Sequence, residues 1–182
     1  MPPMSDISAR TPWDDLDEHG TGLTVDAFIT TLMSQVGNAL RRKITVSYAS
    51  QFGLSVSEWR LLALVAHAGA PGLPFAELVV QSTSDKALVS RTLKLLEQRG
   101  LVRLVAEGNT PRKKLHCLIT PEGEALHREA IPIARARQAA AIRAIPPELR
   151  HDMYLALLHL REYCQQIDAP DPARGDLHGL DI

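Results

Sequence analysis

Lys86, Ser90, Arg91 and Lys94 lie at intervals that gather them, with Ala87 and Gln98, on one side of a helix turning about 100° per residue. The other side of the same stretch holds Leu88, Val89, Leu93, Leu95 and Leu96. Ammonium and guanidinium groups bind phosphate oxygens, a serine hydroxyl donates to or accepts from a base edge, and a methyl such as that of Ala87 meets a thymine methyl. A second basic cluster, Arg112, Lys113 and Lys114, follows the turn chemistry of Glu107-Gly108-Asn109-Thr110-Pro111. A cationic, hydroxyl-bearing helix beside a basic hairpin suits duplex DNA: the helix fits the major groove and the hairpin tip reaches the neighbouring backbone or minor groove. The charge distribution agrees. The chain has net charge −1, yet residues 84–114 carry eight Lys or Arg against three acids, and residues 1–22 carry five acids against one Arg. Phosphate binding depends on such local clusters rather than on the total.

These residues need a helix and two strands to hold them. Ser84 or Asp85 can cap the first amides of the helix, and Gly100 ends it. Apolar alternation marks one strand over 101–105, and Leu115, Cys117 and Ile119 share a face of a second. The remaining elements are helical. Val25, Ile29, Leu32, Val36 and Leu40 recur at three to four residues in a helix expected from Thr24 to about Gln51. Ser55-Val56-Ser57-Glu58 is a capping box opening a helix through Trp59, Leu62, Leu64 and Val65, closed by the 69–72 loop. Pro74 begins a short helix through Leu78 and Val80. Thr120-Pro121 begins one reaching about Ala144, with Pro132 inside it as an expected kink. After Pro146-Pro147 a last helix runs from about Glu148 to Ile167.

The fold class expected is mainly α with a small β-hairpin. Residues 1–22 and 168–182, rich in Pro, Gly and Asp, are expected to be disordered tails around one domain over 23–167. The chain of 182 residues is 45% hydrophobic but only 4% aromatic, so aliphatic side chains must fill its core. No apolar run approaches the ~20 residues of a membrane span, and the start lacks the apolar stretch of a signal peptide. Two distant cysteines make no disulfide framework, which points to a cytoplasmic protein that does not associate with membranes.

Catalytic chemistry finds little to work with. The sequence holds no phosphate-cradling glycine loop, nucleophile elbow or metalloprotease helix. Two Glu-x-x-His spacings, Glu124–His127 and Glu148–His151, place acid and imidazole on one helix face, as carboxylate-bridged metal bundles do. With seven His and 21 acids such spacings arise by chance, and surface ion pairs explain them better. No enzyme, catalytic residue, metal or cofactor is expected. Cys117 reads as a small core residue, and Cys164 has only Arg161 as a basic neighbour.

The order of elements and four motifs resemble the MarR family of winged helix-turn-helix transcriptional regulators. The motifs are Phe52-Gly53-Leu54-Ser55 with Glu58-Trp59-Arg60; Phe75-Ala76-Glu77-Leu78; Asp85…Val89-Ser90-Arg91…Leu96-Glu97…Gly100-Leu101-Val102; and Arg112-Lys113…Ile119-Thr120…Glu122-Gly123. The resemblance covers about residues 24–165. It implies a homodimer formed by helices near 24–51 and 121–167, which binds a palindromic operator in double-stranded DNA. The DNA-contacting residues would be Ser84, Lys86, Ala87, Ser90, Arg91, Lys94 and the wing cations Arg112, Lys113 and Lys114. It further implies a repressor released by a small aromatic carboxylate. The effector would lie between the dimerisation helices and the DNA-binding lobe, with Arg41, Arg42, Tyr48, Trp59, Arg60 and His67 as candidate contacts. Two departures stand out: Pro111-Arg112-Lys113 replaces the family's usual Asp-Arg-Arg, and Ala87-Leu88 replaces its Ser-Thr. The alternatives are a winged-helix interaction module that does not bind DNA, and a thiol- or metal-responsive regulator of the same fold.

Overall fold

A computed structural model describes residues 10–107 and 114–167. The first helical turn, Val25–Ala27, is 3-10 in form and ends at Phe28, whose extended backbone (ψ 132°) interrupts the helix expected from Thr24. α1 (Ile29–Leu40) then passes without a break into a π-helical stretch, Arg41–Val46. A short α2 (Ser47–Ala49) and a 3-10 turn (Ser50–Phe52) follow. Gly53, with φ 65°, ends the run in the left-handed region that glycine enters without a Cβ penalty. The apolar period read from the sequence is helical, but Ile29, Leu32, Met33, Val36 and Leu40 are all exposed.

α3 (Val56–Ala68) opens with the expected capping box: the Ser55 side chain accepts from the Glu58 amide at 3.2 Å, and the Glu58 carboxylate accepts from the Ser55 amide at 2.9 Å. After the 69–72 loop comes a strand that the sequence analysis did not anticipate, β1 (Leu73–Pro74), because two residues carry no alternation. α4 (Phe75–Ser82), α5 (Lys86–Gln98), β2 (Val102–Glu107) and β3 (Lys114–Ile119) follow. The sheet has the order β1-β3-β2, both pairings antiparallel, with Leu73 and Leu104 each opposite Cys117. Gly72 is needed for this closure, since a Cβ there would stand 2.6 Å from the Cys117 carbonyl oxygen.

The core forms where α3, α4 and α5 meet the sheet. Leu62, Val65, Leu78, Val89, Leu93, Leu96, Val102 and Cys117 are essentially without solvent contact. Two apolar residues expected inside are not: Val80 is 75% exposed and Leu95 is 50% exposed. Leu95 lies at the border of the α5 stripe, where helical geometry turns it away from α3.

By compactness the chain divides into residues 1–135 and 136–182. α6 (Pro121–Arg143) carries Pro132, which has no amide hydrogen to donate, yet the helix continues through it. In the first unit Gly123, Ala130 and Ala134 of α6 are buried. In the second, α7 (Pro147–Ile167) follows a tight turn in which Arg150 donates to the Ile145 carbonyl at 2.9 Å and to the Arg143 carbonyl at 3.1 Å. Leu149, Met153, Tyr154, Leu157 and Tyr163 of α7 are exposed. Among the described residues no helix is long and apolar enough to cross a membrane.

Candidate nucleic-acid interface

α5 begins at Asp85, whose carboxylate accepts the Leu88 amide at 2.8 Å and so satisfies one of the helix's unpaired donors. Val89, Thr92, Leu93 and Leu96 are buried, which turns Lys86, Ala87, Arg91 and Lys94 outward with Ser90 half-buried among them. Among the described residues none of these three cations is paired with a carboxylate, so their charge is available to an incoming anion. The sequence-expected face therefore exists as one stripe. Ser84 does not join it fully: its hydroxyl donates to the Ser82 carbonyl at 3.1 Å. Arg112 and Lys113 lie outside the described residues. Lys114 opens β3 opposite Glu107 in register.

The far end of α5 is fixed by Arg99, which sequence reasoning did not single out, and by motif residues whose contacts it did not foresee. Arg99 Nη1 donates to the Gly53 carbonyl at 2.9 Å and to Glu58 Oε1 at 3.1 Å, and Nη2 to the Phe52 carbonyl at 3.4 Å. Burial alone would raise the Glu58 pKa, but hydrogen bonds from Ser55 together with the Arg99 charge outweigh it and hold it below the ordinary value. Next to Arg99, Thr120 Oγ1 donates to the Gly100 carbonyl at 2.6 Å and accepts the Gly123 amide at 3.0 Å. Gly123 packs so closely on the Leu101 carbonyl that no Cβ fits. The Glu97 carboxylate accepts the Leu104 amide at 2.9 Å, tying the base of the wing to α5. The Arg99 partners lie more than forty residues away in sequence, so no local spacing reveals them. Arg103, exposed on β2, is a further cation beside this face.

The six residues expected at an effector site fall into three places. Tyr48 and Trp59 are core residues in edge-to-face contact (centroids 5.3 Å, planes at 84°), and His127 stacks on Trp59 at 5.7 Å and 18°. Arg41 and Arg60 line a cavity of about 180 Å³ between the start of α3, the end of α4 and the start of α5. Arg42 and His67 are exposed and belong to neither group. A wider cavity of about 520 Å³ lies between the end of α3 and the start of α6, lined by Ile119, Glu124, His127, Arg128 and Ile131 among others. Glu124 pairs with Arg128 at 3.8 Å, and no cluster of three potential metal ligands occurs among the described residues. Cys117 is buried, and desolvation, helped by the Glu97 charge, pushes its thiol up to about 12, so it is not ionised near neutrality. Cys164 is exposed.

A sequence model of the MarR family matches residues 52–112, from the turn before α3 to the wing. No curated protein sequence matches the chain. Solved structures do. A MarR/EmrR-family transcriptional regulator from Acinetobacter sp. ADP1 is 23% identical with a TM-score of 0.68, over 79% of this chain and 99% of its own. MepR of S. aureus, solved as a DNA complex, is 16% identical with a TM-score of 0.66, over 75% of this chain and 98% of its own. NadR, solved in complex with 4-hydroxyphenylacetate, is 22% identical with a TM-score of 0.60, over 81% and 97%. Residues 52–112 thus match the MarR family, and the fold built around them is similar to that of solved MarR-family transcriptional regulators.

Proposed function

We propose that this MarR-family protein is a homodimeric repressor that binds a palindromic operator and is released from it by a small aromatic carboxylate. The observation that carries the DNA-binding part is the outward stripe on α5, where Lys86, Arg91 and Lys94 stand around Ala87 and Ser90 with no carboxylate paired to them among the described residues. An outward cation row on a capped, well-packed helix is a preorganised phosphate and base reader. MepR, of like fold, forms a DNA complex.

Dimerisation is supported by two apolar faces, one in each unit. α1 exposes Ile29, Leu32, Met33, Val36 and Leu40, and α7 exposes Leu149, Met153, Tyr154 and Leu157. Apolar stripes of this length are interaction surfaces in soluble proteins, and a two-fold dimer presents two readers to a two-fold site. The effector part is supported by arginines lining a cavity with apolar and hydroxyl-bearing walls, and by the aromatic acid bound to NadR. Sedimentation at micromolar concentration checks the dimer, with a monomer as the contrary result. Gel shift on the promoter region of the protein's own gene, repeated with a panel of benzoates, cinnamates and phenylacetates, checks the rest. Binding that every acid leaves intact at millimolar concentration removes the effector; no binding at all leaves a winged-helix interaction module.

A further inference from the structure

Leu95 is 50% exposed on α5, whereas Val89, Leu93 and Leu96 of the same helix are buried. A single exposed leucine is ordinary on a protein surface; its neighbours set this one apart. Ala87, Arg91 and Leu95 follow one another at four-residue intervals, so they lie along one ridge of the helix, and all three are exposed. The next residue of the ridge, Arg99, turns its guanidinium back to Gly53 and Glu58 and closes it. Lys86 and Lys94 lie along one side of the ridge, and among the described residues no carboxylate pairs with either of them or with Arg91. A protein partner covering this ridge would have to desolvate three cations. The major groove of DNA suits it better. It offers phosphates to the cations, the O6 and N7 acceptors of guanine to a guanidinium, and the 5-methyl of thymine to an apolar side chain.

We propose that Ala87, Arg91 and Leu95 form a base-reading row, in which Ala87 and Leu95 meet the 5-methyl groups of two thymines and Arg91 binds a guanine between them. The inference rests on the DNA-binding reading above and adds Leu95 to it, together with a base for each position of the row. Helical geometry sets the spacing. Eight residues of α-helix rise about 12 Å, and base pairs follow one another every ~3.4 Å, so the two thymines stand about three to four base pairs apart. Ala87 brings only a methyl to the groove floor, so the backbone of the first turn can approach closely and Arg91, one turn on, can reach the guanine edge. Neither apolar contact involves a hydrogen bond. Each discriminates by the thymine methyl alone, a contribution of about three- to fourfold in affinity.

The test starts from duplexes that the full-length wild type enriches from a random pool. These should carry, in each half-site, a guanine between two thymines. Exchanging either thymine for deoxyuracil removes the methyl and leaves the pairing unchanged. Fluorescence anisotropy should show each exchange weakening wild-type binding about threefold or more. In Ala87→Gly one of the two losses should disappear, and in Leu95→Ala the other. In Val80→Ala, at an exposed position of α4 outside the ridge, both should remain. Should Leu95→Ala fail to melt like the wild type, Leu95→Gln keeps the length and helix propensity without the apolar contact and should give the same result. Equal binding of thymine and uracil duplexes by the wild type overturns the proposal while leaving DNA binding standing. So does a uracil loss that the Leu95 variants retain in full, or one that Val80→Ala abolishes as well. Enrichment of no duplex removes the DNA-binding reading and this proposal together. A change from dimer to monomer in Leu95→Ala would assign the residue to a protein contact and equally overturn it.

Discussion

The two ends of α5 are held in different ways. At its C-terminal end Arg99 reaches Phe52, Gly53 and Glu58, while Gly100 and Leu101 are locked to Thr120 and Gly123. These contacts join α5 to the end of the first helical run and to the start of α6 through charge-assisted bonds and backbone proximity. At its N-terminal end, the helix has one aspartate cap, the buried Val89 and Thr92, and a preceding turn whose Ser82 carbonyl accepts Thr83 Oγ1, Arg60 Nη1 and Ser84 Oγ. The N-terminal end, without an ion pair of its own, is expected to be the more adjustable of the two. It carries Lys86, and the anchored half carries Lys94.

The contrast can be broken most forcefully at the fixed end. Gly123→Val places side-chain atoms against the Leu101 carbonyl and should cost about 3 kcal/mol in urea unfolding, with DNA binding lost in proportion to unfolding. Arg99→Gln is milder. It leaves the Glu58 carboxylate with only its Ser55 partners, and because Arg99 is itself over one-third exposed the loss should be about 1–2 kcal/mol. Arg99→Lys should not restore it, since one ammonium cannot serve three acceptors set for a fork. At the adjustable end Asp85→Ala removes a cap and should cost about 1 kcal/mol. The same substitution should weaken DNA binding beyond its effect on stability, because the first turn of α5 frays. Equal ratios of affinity loss to stability loss at Arg99 and Asp85 would erase the distinction between the two ends.

The smallest effects come with pH. Burial, and then the Arg135 charge, lower the His127 pKa below 6.5 against an opposing pull from Glu124. The fold favours neutral imidazole on Trp59, so stability is lost as pH falls from about 6.5 through the lower folded value. Glu58 also has a lowered pKa, so its contribution is complete above 4.5 and is lost as pH falls through its folded value. His127→Gln should flatten the upper part of the acid limb and leave the lower part to Glu58. An acid limb unchanged by that substitution would detach His127 from the stability of the core.

The elements most legible in the sequence were those with local signatures. The Ser55–Glu58 capping box, the Asp85–Gly100 helix and the Thr120-Pro121 start each state their boundary in a few neighbouring residues, and the structure has them at those positions. The exposed stripe of α5 was legible for the same reason: a helix period fixes which residues share a side. The interruption at Phe28, the π-helical stretch at Arg41–Val46 and the two-residue β1 depend on tertiary packing and leave no periodic trace. Periodicity also does not say what covers an apolar stripe: the α1 residues recur on one side of the helix and are exposed. At the candidate effector site, residue type alone did not show that Tyr48 and Trp59 meet edge to face in the interior, with His127 stacked on Trp59.

The central claim is that the α5 stripe reads DNA, and salt dependence tests it most directly. Fluorescence anisotropy of the wild type and of Arg91→Ala and Lys94→Ala, on a promoter duplex and on an unrelated duplex between about 50 and 200 mM salt, gives affinity and slope together. A residue touching phosphate should lower the slope by about one and weaken both duplexes alike, and a residue touching a base should cost about 1–3 kcal/mol on the promoter alone. The account predicts one or the other for each variant. Slopes and affinities identical to the wild type on both duplexes, in both variants, would contradict it.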